Sequence, residues 1–133
     1  MIQDEICTYE VCKLAKDKGF PQHIGDDAYI VENEYDDEYE VGYCYPIQFI
    51  PDYLPTITAP TQSLLQRWLR EEKDIHIEIV ATACGYFWIA DKTNGTAITD
   101  SDILDRGTNE GGCFDTFELC IEDALAYSLK NLV

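Results

Sequence analysis

Between Ala59 and Val80 the apolar positions follow two successive rhythms in APTQSLLQRWLREEKDIHIEIV. Leu64, Leu65, Trp68 and Leu69 recur at helical spacing, while Gln66, Arg67, Arg70 and Glu71 fall mostly outside that ridge. This predicts an amphipathic helix, with Pro60 near N1, where a missing N–H costs nothing. After Asp74 the rhythm changes: Ile75, Ile77 and Ile79 alternate with His76, Glu78 and Val80. That alternation predicts a half-buried strand, expected at the centre of its sheet.

The same reading extends to both ends of the chain. Cys7, Val11, Leu14 and Ala15 share one helical face, so a first helix is expected over Cys7–Gly19, capped by Thr8 and stopped by Gly19. Tyr29–Val31 and Tyr39–Tyr45 read as strands of a hairpin joined by the acidic ENEYDDE. Pro46 should end or bulge the second strand, with Ile47–Ile50 as an edge continuation. PDYLPTITAP, rich in proline, reads as an extended connector. Gly85–Ala90 is a further strand, Asn94-Gly95 a tight turn, and Thr96–Thr99 its return. Thr99–Gly112 reads as a polar loop, and a last helix is expected over Asp115–Leu132, with a capping box of Asp115 and Glu118 and a staple from Phe114 to Leu119. The order of elements predicts a single α+β domain over residues 1–133. It would have two layers, a mostly antiparallel sheet of about four to five strands covered on one face by three helices.

Composition sharpens the picture mainly through charge. The 26 acidic residues outnumber the 9 basic ones, giving a formal net charge of −17 over 133 residues. That argues against direct nucleic-acid binding, which needs Lys and Arg against phosphate, and disfavours anionic membranes. No apolar run approaches the length of a membrane span, and the opening MIQDEICTYE has acids where a secretory signal carries basic residues. The expected compartment is therefore the cytoplasm, where the six cysteines would be free thiols. No C-x-x-C occurs to suggest a zinc knuckle or redox pair.

Three segments carry a resemblance. They are Thr8-Tyr-Glu-Val-Cys-Lys-Leu-Ala-Lys-Asp-Lys-Gly-Phe20, then Ala59-Pro-Thr with Trp68-Leu-Arg-Glu-Glu72 and the Ile75, Ile77, Ile79 strand, and finally Thr116-Phe-Glu with Leu129-Lys-Asn-Leu132. In these, spanning roughly half the chain, the sequence resembles a group of small uncharacterised proteins of gut Bacteroides-type bacteria and their phages. The resemblance implies a phage or mobile-element accessory context and no chemistry. The acidic segment 32–40 and the loop 99–112 lie outside it.

The most unusual composition is the acidic, tyrosine-rich stretch from Asp26 to Tyr53, within a span free of Lys and Arg from Lys18 to Arg67. Glu32, Glu34, Asp36, Asp37, Glu38 and Glu40 with Tyr35 and Tyr39 form a candidate partner surface, since aromatic side chains supply interface anchors. The competing account is a hairpin with solvated acidic tips that only solubilise. Tyr86 and Trp88 share one face of their strand and would extend the surface if that face looks outward. No calcium-loop signature or His/Cys ligand spacing is present, so no metal and no cofactor is expected. No nucleophile elbow or phosphate-binding loop is present either, and no catalytic residue is assigned. The expectation is a small acidic non-enzymatic protein of protein–protein contact, engaging a basic, nucleic-acid-handling host protein. The alternative is a small enzyme or ligand-binding module using carboxylates or a Cys–His pair built on His23 or His76.

Overall fold

The computed structural model describes residues 5–22, 28–31, 44–46, 56–92, 98–109 and 111–133. For residues 28–31, 44–46 and 56 only the backbone is described.

Helix α1 spans Tyr9–Asp17, and Thr8 caps it by accepting from the Val11 N–H. Its C-terminus closes on two bonds past the cap, Phe20 N–H to the Ala15 carbonyl and Gly19 N–H to the Lys16 carbonyl. This Schellman pattern turns the apolar Phe20 back into the core, where it meets Trp68 edge-on at 5.3 Å. Helix α2 spans Gln62–Lys73, two residues later than Pro60 at N1 would put it: Thr61 is the cap, accepting from the Leu64 N–H. Pro60 lies outside the helix, and its carbonyl accepts from the Cys7 N–H at 3.0 Å. Asp74 takes a left-handed conformation, φ 58°, which short polar side chains tolerate, and so joins α2 directly to a strand.

Helix α3 spans Phe117–Asn131 with Thr116 as its cap, accepting from the Leu119 N–H. The cap therefore falls one residue after the expected Asp115, whose side chain instead accepts from the Asn109 amide at 3.0 Å, and with Leu119 at N3 no capping box forms. The expected Phe114–Leu119 staple is not made; Phe114 is buried and Leu119 is half exposed.

Among the described residues the strands form two antiparallel sheets of three, where a single sheet was expected. The first has β1 (Ala28–Val31) between β2 (Cys44–Pro46) and β3 (Thr56–Ala59). The β1–β2 pairing, Tyr29 opposite Tyr45, realises the expected hairpin at its base, while Tyr39–Tyr43 and Ile47–Ile50 lie outside the described residues. Pro46 is the last residue of β2, where the strand was expected to end, and β2 is an edge strand among the described residues. Thr56–Ala59, expected as connector, is a strand: its β-branched Thr, Ile and Thr favour extended pairing and pair with β1 over four positions.

The second sheet has order β4 (Ile75–Thr82), β5 (Gly85–Lys92), β6 (Ile98–Asp100). Its centre is therefore β5, and the isoleucine strand β4 is an edge. Ile75, Ile77, Trp88 and Ala90 are buried on one face of β4–β5, against α2 and α3. Helix α1 packs on α3 and β3. Val11, Cys12, Ile57, Leu65, Leu69, Ile121, Leu125 and Leu129 complete this core. The fold class is α+β with antiparallel sheet and three helices, as the sequence predicts. No described helix is long and apolar enough to cross a membrane.

Ser128, on the inner face of α3, is fully buried, and its hydroxyl has no hydrogen-bond partner among the described residues. A stranded buried hydroxyl costs about 1–3 kcal/mol, and alanine is also the better helix former. Ser128→Ala should therefore stabilise the protein by about 1 kcal/mol, read as a higher urea midpoint at unchanged slope. A lower midpoint would show that the hydroxyl is partnered.

Candidate functional site

The β4–β5 hairpin pairs eight positions, from Ile75 opposite Lys92 to Thr82 opposite Gly85, leaving Ala83-Cys84 as a two-residue turn. Gly85 has φ 137°, and a Cβ there would lie 2.3 Å from the Phe114 carbonyl oxygen. Only glycine lets the chain before α3 approach so closely. Tyr86 and Phe114 then exchange both backbone hydrogen bonds at 2.8 Å, extending the edge of β5 beyond β6. Counting outward from that bridge sets Cys113 across from Phe87, on the face of the hairpin away from the helices.

Asn109 fixes the loop that carries Cys113. Its side-chain oxygen accepts from the N–H groups of Gly111 and Cys113, and its amide donates to the Cys84 carbonyl at 2.8 Å and to Asp115. Thr108 and Asn109 N–H both reach the Cys113 carbonyl. Gly111 brings its backbone against Cys84: a Cβ there would lie 2.9 Å from the Cys84 Cβ. The turn and the loop are thus stitched together, and two cysteines remote in sequence meet.

The Thr82 hydroxyl lies between them, 3.2 Å from the Cys84 sulfur and 3.7 Å from the Cys113 sulfur. The Thr82 hydroxyl thus links the two thiols. The Cys113 S–H donating to a Cys84 thiolate is the main cause that holds Cys84 below the ordinary thiol range, with Thr82 adding to it. The same bond, broken when Cys113 ionises, pushes Cys113 up. Cys84 is exposed and Cys113 buried. They open onto a groove of about 430 Å³ lined also by Thr82, Phe87, Asp100, Asp102, Gly111 and Gly112. The other cysteines with described side chains are buried: burial pushes Cys120 up to about 12 and raises Cys7 further.

A second, smaller groove of about 290 Å³ lies where the three helices begin, lined by Glu5, Ile6, Thr8, Gln62, Thr116, Glu118, Leu119 and Glu122. Glu122 organises it, one oxygen accepting from the Thr8 N–H at 2.7 Å and the other from the Gln62 amide at 2.8 Å. Ile6 and Leu119 are exposed apolar side chains in this acidic setting.

Of the residues expected to form the partner surface, Tyr86 and Trp88 fall among the described residues. Glu32, Glu34, Tyr35, Asp36, Asp37, Glu38, Tyr39 and Glu40 lie outside the described residues. Trp88 is fully buried, its indole N–H donating to Asp123 at 2.9 Å, and Tyr86 is half-buried edge-on to Phe117. Both belong to the face that carries Ile77 and Ile79, which α3 covers, so they form no exposed aromatic patch. His76 is exposed opposite Asp91, at the other end of the hairpin from Cys84, roughly 25 Å away along the strand. No Cys–His pair and no cluster of three metal-ligating groups forms among the described residues. Compared with protein-family models, curated proteins and solved structures, the chain matches none.

Alkylation with iodoacetamide followed by peptide mapping should modify Cys84 first in the native protein, leaving Cys7, Cys12 and Cys120 untouched. Because the Cys113 bond lowers the Cys84 pKa, Cys113→Ala should move the pH midpoint of Cys84 alkylation upward. An unmoved midpoint would show that the two thiols do not communicate.

Proposed function

We propose that this chain acts by protein–protein contact, as an acidic non-enzymatic domain that seats a basic, amphipathic segment of a partner protein. The observation that carries this reading is the groove at the helix entrances. Its exposed Ile6 and Leu119 sit among Glu5, Glu118 and Glu122. An apolar anchor site ringed by like charge selects a segment with apolar residues on one side and Lys or Arg beside them. The formal charge of −17 strengthens the attraction at long range. The acids Glu32 to Glu40 with Tyr35 and Tyr39 add to it by composition.

The partner that best matches such a surface is a nucleic-acid-handling protein, whose own binding face is rich in Lys and Arg. In this form the chain is a phage or mobile-element accessory protein that occupies a host protein's basic groove. The three segments resembling such proteins motivate that context.

The test uses a defined probe, a fluorescent peptide with Leu and Lys at helical spacing, read by anisotropy. Binding should fall roughly tenfold or more between about 0.05 and about 0.5 M salt. It should be lost in Leu119→Asp and weakened in the Glu5→Gln/Glu118→Gln double variant, and a peptide with Glu in place of Lys should not bind. Glu122 is left intact because it holds the helix entrances. Binding that ignores both salt and these substitutions would overturn the reading.

A further inference from the structure

We propose that Cys84 and Cys113 form a two-cysteine site for thiol–disulfide exchange, with Cys84 as attacking thiol, Cys113 as resolving thiol, and cationic disulfides as the favoured substrates. Three features of the groove support it together. The Cys84 sulfur is exposed at a hairpin turn and opens onto a groove large enough for a small disulfide. The Cys113 sulfur is buried and lies within hydrogen-bond reach of the same Thr82 hydroxyl. The groove is walled by the carboxylates of Asp100 and Asp102, and among the described residues no basic side chain lines it.

The chemistry follows from that arrangement. The Cys84 thiolate attacks one sulfur of a disulfide RSSR; the S–S bond breaks, and RS⁻ leaves to take a proton from water. Cys84 is then held in a mixed disulfide with the second R group. Its sulfur no longer carries the charge that held the Cys113 proton, so the main cause raising the Cys113 pKa is removed. Cys113 gives its proton to water and its thiolate attacks the Cys84 sulfur; the bond from that sulfur to SR breaks, and the second RS⁻ leaves and takes a proton from water. The sum is RSSR plus two protein thiols giving two RSH and one Cys84–Cys113 disulfide. The two electrons pass from the cysteines to RSSR. Asp100 and Asp102 attract a cationic RSSR and repel an anionic one, and the net charge of −17 acts in the same sense.

The experiment treats the reduced full-length protein with three disulfides: cystamine, which is cationic, hydroxyethyl disulfide, which is neutral, and oxidised glutathione, which is anionic. Acid-quenched samples are read by intact mass and peptide mapping, and each rate is normalised to that of the same chain in urea. Wild type should lose two hydrogens and yield a linked Cys84–Cys113 peptide pair. Cys113→Ser and Cys113→Ala, with folding checked by circular dichroism, should halt at the mixed disulfide on Cys84. Cys84→Ser should abolish the fast reaction. Cystamine should exceed oxidised glutathione by about tenfold or more, and Asp100→Asn/Asp102→Asn should narrow that gap. A mixed disulfide that persists in wild type would overturn the resolving role of Cys113. Equal normalised rates for cystamine and oxidised glutathione would overturn the substrate class.

Discussion

An indole buried in a protein interior must give its N–H to something, and in this fold that demand fixes the surroundings of β5. Trp88 is fully buried at the centre of the second sheet, and its N–H goes to Asp123 of α3. A half-buried carboxylate is costly unless its other lone pairs are used. Asp123 uses them on Arg106, whose guanidinium binds both its oxygens and lies over the Tyr127 ring. That hydrogen bond is the chief reason the Arg106 proton is held more tightly than usual. Meanwhile Ser101, completely buried, exchanges hydrogen bonds with both backbone groups of Trp88. The segment from Ser101 to Arg106 is therefore fastened at each end to one tryptophan's environment. The loop that follows, with Asn109 and Cys113, starts from a fixed point.

This dependence explains which parts of the molecule were legible in the sequence. The helices were, because their signals are local: Thr8 caps α1, and the Leu65–Leu69 ridge is buried where the spacing put it. The start of α3 was misread by one residue because Asp115 and Thr116 are equally competent caps. The choice falls to Asn109, a contact made from outside the helix. β3 was hidden by its flanking prolines, although Thr56, Ile57 and Thr58 carry the β-branched signature. Its partner β1 lies far back along the chain, and pairing over such a distance leaves no local trace. Alternation placed Tyr86 and Trp88 correctly on one face. It could not say which face α3 would cover.

The thiol pair shows the same limit more sharply. Neither cysteine has a neighbouring cysteine or histidine to announce it. Their meeting depends on a two-residue turn, a bridge between Tyr86 and Phe114, and the four hydrogen bonds of one asparagine side chain. The signal that was available was modest: Cys84 beside a glycine at a strand junction, and Cys113 after Gly111-Gly112 ahead of a helix. The acid-ringed groove at the helix entrances was equally hidden, since Ile6, Gln62 and Leu119 come from three distant segments. Charge was the one functional property legible from composition alone. It bears on both surfaces, because carboxylates border each of them.

The close approach at Gly85 has a consequence for how this sequence can vary. Either cysteine can be exchanged for a small residue with its backbone undisturbed, so the thiols are free to be gained or lost over generations. Position 85 has no such freedom, since any side chain would collide with the Phe114 carbonyl and part the turn from the chain entering α3. In a population of drifting variants, glycine at 85 would persist with the architecture, whereas the cysteines would persist only as long as selection has a use for sulfur.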